Sequence, residues 1–199
     1  MIKQIHEKIF RKSRDGALTD NLIRMIPKNT TLLDIGCGDG RLDHYIISRR
    51  PDVSIKGIDP IIRKKTYGDV TKFDGKTIPF DEGSFETVML VNVLHHADEP
   101  RELFKESVRV SSKYLLIKDH IAEGLFAWQT LCFMDWVSNK KHGVNLPYKF
   151  LTRDEWAKLF ELGGVRSVEY TDRLVLYPVG FNWIFSRGLH FIGLYQKNK

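Results

Sequence analysis

Apolar residues recur along this chain in two rhythms. Ile2, Ile5 and Ile9, and then Leu18, Leu22 and Ile26, stand at helical spacing, and Pro27 closes the second segment, so two helices over 2–12 and 17–26 are predicted to lead in. The short run TLLDI (31–35) reads as a strand, passes into DIGCGDG (34–40), and is followed by a helical pattern through Leu42, Tyr45, Ile46 and Arg49 before Pro51. VSIKGID supplies a second strand ending at Asp59, and a third short strand is predicted through Val70 to Phe73. SFETVMLVNV (84–93) is apolar enough to be buried on both faces, as a central parallel strand is. A helix over 99–110 and a buried strand YLLIK (114–118) complete an alternation that predicts βαβ units around a parallel sheet.

After Lys118 the rhythm changes. Leu125, Trp128, Leu131, Cys132 and Met134 predict a helix over 124–138. Thr152 and Glu155 form a capping box that opens another helix, which Gly163 and Gly164 end. Two strands near 165–177 and 189–195 follow, joined by an aromatic connection with Tyr177, Phe181, Trp183 and Phe185. That connection is read as a cap on the core, although a membrane surface or a lipidic acceptor would also suit it. Nothing divides the chain, so one domain over 1–199 is expected: N-terminal helices over 1–27, a core over 30–120, then an insertion and the last strands over 121–199.

Composition alters this little. Of 199 residues, 42% are hydrophobic and 28% charged, which suits a packed core and not a disordered chain. No apolar run approaches a membrane span and the N-terminus lacks the pattern of a secretory signal, so a cytoplasmic location is expected. Cys37 and Cys132 are read as free thiols. The net charge of +6 is read mainly as a solubilising surface, because the basic residues cluster only at Lys8 to Arg14, Arg63 to Lys65 and Lys197 to Lys199; it leaves a nucleic-acid or anionic-lipid partner open. The oligomeric state is not readable.

The sharpest chemical signal is Asp34-Ile35-Gly36-Cys37-Gly38-Asp39-Gly40, set between a strand and a helix. Glycines at 36, 38 and 40 allow a tight turn on which a ligand can lie against main-chain N–H groups. The G-x-G-x-G spacing and the acid ahead of it differ from the dinucleotide fingerprint and suit a cationic ligand better than a pyrophosphate. Glycine also serves turns for purely steric reasons, so the loop alone decides nothing. Asp59 stands about 20 residues on, at the end of the second strand, where a carboxylate can accept from both hydroxyls of a ribose; a turn aspartate before Pro60 is the plainer reading.

The ordered set DIGCGDG (34–40), GIDP (57–60), DGKTIPF (74–80), SFE (84–86), VNVLHHADEP (91–100) and SVRVSSKYLLIKDH (107–120) resembles the class I S-adenosylmethionine (SAM)-dependent methyltransferases, specifically their broad small-molecule group. The resemblance spans roughly residues 30 to 120. It implies an α/β fold with a Rossmann-like, seven-stranded, mostly parallel sheet, helices on both faces and the last strand antiparallel. It implies SAM as cofactor, with Asp34, Gly36, Cys37 and Gly38 around its methionine part and Asp59 on the ribose beside Pro60. Asp74 and Gly75 should meet the adenine, with Asp69 a competing choice, and Asn92 and Val93 should line the amino-acid end. The chain departs from the family in having no room for an amphipathic helix between Asp59 and Asp74, and in Glu86 where the family has Asp.

The acceptor should lie beyond the ends of strands four and five. Candidates there are His96, which with Leu94 and His95 matches the family's L-H-H, and Asp119 and His120, the latter the best candidate for a general base. In the following insertion Asp135 and Asn139 share a helical face at i and i+4, and His142 follows. His95, His96 and His120 match no familiar ligand spacing, so no metal site is expected. The expected activity is methyl transfer to a small molecule. An RNA or protein methyltransferase, a non-catalytic scaffold and, remotely, a nicotinamide dehydrogenase are the alternatives.

Overall fold

The computed structural model describes residues 16–139, 146–177, 182 and 185–198. The predicted helix at 2–12, His142, Phe181 and Trp183 lie outside them. Helix α1 (16–25) leads into β1 (Thr31–Ile35), α2 (Arg41–Arg49), β2 (Ser54–Asp59), β3 (Val70–Lys72), β4 (Phe85–Val91), α3 (Pro100–Val110), β5 (Ser111–His120), α4 (Ala127–Asn139), α5 (Arg153–Leu162), β6 (Val165–Thr171) and β7 (His190–Lys197). The strands form one sheet in the order β3-β2-β1-β4-β5-β7-β6. Only β7 runs against its neighbours, as expected.

Strand side chains alternate between two apolar layers. Leu33, Ile35, Val88, Leu90, Leu115 and Ile117 pack with Leu103 and Phe104 of α3 and Trp156 and Leu159 of α5. Leu32, Met89, Leu116 and Ile192 pack on the other face with Leu22 and Met25 of α1 and Ile46 of α2. Burial on both faces is why the central strands read as unbroken apolar runs. Arg50, just past α2, donates to the carbonyls of Ile23, Ile26 and Pro27 and pairs with Asp52, tying the end of α1 to the end of α2.

Residues 60–69 form a loop with no helix, as the sequence indicates. The strand expected over 165–177 ends at Thr171, which pairs with Ile192 of β7. The chain instead turns inward, burying Leu174 and Leu176 in the α1/α2 layer. No described helix is long and apolar enough to cross a membrane.

The capping box of α5 is complete: the Glu155 backbone N–H donates to the Thr152 hydroxyl, and the Glu155 carboxylate accepts from the Thr152 N–H. Two variants separate this local contribution from the core. Leu116→Ala, at a fully buried site, should lower the unfolding free energy by about 3 kcal/mol, and Thr152→Ala by about 1 kcal/mol. Urea denaturation measures both, and equal losses would contradict the layered account.

Candidate active site

The loop after β1 sits directly on the ends of its neighbours. Gly36 and Cys37 donate their N–H groups to the Ile58 carbonyl at 2.7 and 3.2 Å. Gly36 has φ +72°, and a Cβ there would lie 2.7 Å from Val93 Cγ2; at Gly57 it would lie 2.6 Å from Cys37 Sγ. No larger residue fits either position without displacing the loop. The Gly38 N–H donates to Asp59 Oδ2 at 2.9 Å and the Ile61 N–H to Asp59 Oδ1 at 2.8 Å. Each carboxylate oxygen keeps acceptor capacity for a further hydroxyl.

Beneath this loop lies an acid that the sequence reading missed. Asp43, on the first turn of α2, is buried, and its carboxyl hydrogen-bonds that of Asp34 at the end of β1. Burial and the neighbouring Asp43 and Asp59 push Asp34 well above the usual carboxylate range, and burial pushes Asp43 up to about 6. The pair therefore shares a proton, because two carboxylates in contact away from water cannot both ionise cheaply. One oxygen of each, Asp34 Oδ1 and Asp43 Oδ1, has no hydrogen-bond partner. Burial and the same three acids push the Cys37 thiol up, making it an inert packing group.

Further along, Pro60, Asp74 and Gly75 line the same cavity. Asp74 Oδ1 accepts from the N–H groups of Lys76 and Thr77, which hold its carboxyl below the ordinary value. Asp69, the competing choice, is not among the lining residues; it faces Lys56 Nζ at 3.6 Å.

At the other end, Asn92 closes β4 with φ +58°, a conformation asparagine tolerates better than most residues. Its side-chain oxygen accepts from the Lys118 ammonium. Strand alternation puts Lys118 and His120 on the cavity wall and Asp119 off it. Asp119 was expected to act on His120; its side chain meets His95 instead, Oδ1 lying 2.5 Å from Nδ1, and it accepts from the backbone N–H groups of Leu94 and His120. Burial acts to raise its carboxyl, but His95 and Lys118 bring it below the ordinary range.

His120 is buried and stacks on His95 and Phe150 at 4.7 and 5.5 Å, with His190 edge-on. Burial, Lys118 and the other imidazoles push its pKa well below the usual value. Across from it α4 presents Asp135 and Asn139, joined by a 2.7 Å hydrogen bond, with His96 Nε2 3.4 Å from Asp135 Oδ1. The other side of α4 is exposed: Trp128, Phe133 and Trp136 are 51%, 56% and 44% accessible, so these aromatics are not core. Lys118 and His190 join the wall although the sequence reading named neither as a site residue; a lysine and a histidine inside strands carry no signal until the sheet is assembled.

The two groups of residues share one cavity of about 810 Å³, within the range of small-molecule sites. The glycine loop and acid-ended β2 stand at the ends of the parallel strands of a 3-2-1-4-5-7-6 sheet, where open α/β sheets place their ligand crevice. Residues 33–114 match the family described as a methyltransferase domain. Among solved structures, a SAM-dependent methyltransferase from Thermotoga maritima is 19% identical, with a TM-score of 0.64 over 98% of this chain and 95% of that one. One from Mesorhizobium loti is 13% identical, with a TM-score of 0.68 over 92% and 100%. A chain from the complex between the Haloferax volcanii Trm112 methyltransferase activator and a methyltransferase is 13% identical, with a TM-score of 0.66 over 97% of each. At these identities the likeness is one of fold. No curated protein matches the chain.

The acid pair sets a pH dependence of stability. Its folded pKa values lie above those of unfolded aspartates, so its stabilising contribution is present at low pH and is lost as pH rises through about 6. Asp43→Asn removes the second charge. The variant should melt higher than the parent above about pH 7, by a difference on the order of 1–3 kcal/mol, and the gap should close toward about pH 4. A gap independent of pH in calorimetric melts would contradict the shared proton.

Proposed function

We propose that this chain transfers the methyl group of SAM to a small-molecule acceptor held at the far end of the same cavity. The observation that carries this reading is the continuity of the cavity: it runs from the glycine loop past Asn92 to a wall built by His95, His96, His120 and α4. When bound, SAM would supply a methyl group on a cationic sulfur that leaves as the thioether of S-adenosylhomocysteine, so the chain's task is to align the acceptor with that carbon. Asp34, Gly36, Cys37 and Gly38 would hold its methionine part, where a buried carboxyl with an unpartnered oxygen answers positive charge. Asp59 would take the ribose hydroxyls, Pro60, Asp74 and Gly75 the adenine, and Asn92 and Val93 the amino-acid end.

Acceptor alignment falls to His96, Asp135 and Asn139. In our reading His120 is a neutral hydrogen-bonding group and not the general base, because its burial opposes the imidazolium that a base must become. Lys118 fixes Asn92, and through it the end of β4.

The test is transfer of labelled methyl from SAM into a cell extract separated into small-molecule, RNA and protein fractions. Label should appear in the small-molecule fraction, and Asn139→Ala should lower that rate by about tenfold, or 1.4 kcal/mol, through the acceptor and not through SAM affinity. Label confined to RNA or protein would give the activity to a macromolecular acceptor and overturn the small-molecule reading.

A further inference from the structure

We propose that His95, His96 and Asp135 form a binding site for a divalent first-row transition ion at the acceptor end of the cavity. One ligand atom from each lies within 4.8 Å of the others. His96 Nε2 and His95 Nε2 stand 3.4 and 3.9 Å from Asp135 Oδ1. A tetrahedral ion with bonds of about 2.1 Å spaces its donors roughly 3.4 Å apart, so the site needs only side-chain adjustment.

Two further features point to an ion. The contact between Asp119 Oδ1 and His95 Nδ1 fixes the ring and leaves Nε2 facing Asp135, the carboxylate–histidine arrangement that supports metal ligands. Asp135 has a side chain only 2% exposed, on a helix whose other buried residues are Ala127 and Leu131, and its Oδ2 has no hydrogen-bond partner. Its Oδ1 accepts from Asn139 Nδ2, which also stands 3.5 Å from His96 Nε2. A buried carboxylate between two imidazoles with an unsatisfied oxygen is poorly served by that single amide.

Two imidazoles and one carboxylate suit zinc, iron, cobalt or manganese better than magnesium or calcium. Three protein ligands leave a coordination position open, and all three residues line the cavity. On the methyl-transfer reading, the acceptor would then be one that presents an anionic oxygen or sulfur to the ion. The sequence reading weighed His95 and His96 with His120 and set a metal site aside; Asp135 as the third donor lies on a distant helix, a pattern without a ligand-spacing signature.

The experiment strips the full chain with a chelator and titrates it with Zn²⁺ by calorimetry, with Co²⁺ absorption reporting imidazole ligation. Melting curves control for folding, and a separate titration uses S-adenosylhomocysteine. One Zn²⁺ should bind per chain at micromolar affinity or better. Asp135→Asn and His96→Gln should each weaken it at least tenfold while melting cooperatively. Binding of S-adenosylhomocysteine without Zn²⁺, or Zn²⁺ affinity unchanged in Asp135→Asn, would overturn the site. Zn²⁺ binding without S-adenosylhomocysteine would support it while counting against the methyl-transfer reading alone.

Discussion

The loop after β1 lies so close to the ends of β2 and β4 that Gly36 and Gly57 have no room for a side chain, and the rest of the site is arranged around that approach. Because Gly36 and Cys37 borrow the Ile58 carbonyl, the loop is held by the sheet and not by its own residues. That seating puts the Gly38 N–H on Asp59 and brings Asp34 over Asp43. The sheet in turn is rigid because its central strands are packed on both faces. Packing, backbone conformation and site chemistry are thus consequences of one contact.

The cavity is electrically divided. Under the glycine loop, three acids lie close together and one proton is shared between two of them. Such a pair is a reservoir of negative charge: a cation arriving above Asp34 favours the ionised form and displaces the proton. At the other end the Lys118 ammonium stands with His190, His95 and the neutral ring of His120, and Asp135 faces them from α4. Asn92, held by Lys118, stands between the two ends.

Much of this was legible in the sequence for a physical reason. Strands β1, β4 and β5 are buried on both faces along most of their length and announce themselves as apolar runs, while Thr152, Glu155 and Gly163 mark α5 by local hydrogen bonding. Asp34, Asp59 and the glycines were legible because their chemistry is bound to chain order. Asp43, Lys118, His190 and the partnership of Asp119 with His95 were not, because each depends on which elements become neighbours across the sheet. The side taken by the aromatics of α4 was not legible for the same reason: helical spacing shows that a face exists, not which face the core takes. The end of β6 was overestimated because Leu174 and Leu176 look like a continued strand but leave the sheet to pack in the α1/α2 layer.

The central claim, that the glycine loop and Asp59 hold SAM, is tested most directly by calorimetric titration of the purified chain with SAM, S-adenosylhomocysteine and NAD, repeated on Asp59→Ala. The account predicts micromolar binding of the first two and none of NAD, with Asp59→Ala weakening SAM by tenfold or more, about 1.4 kcal/mol. Absence of binding by both SAM and its demethylated product, or an unchanged affinity in Asp59→Ala, would contradict it.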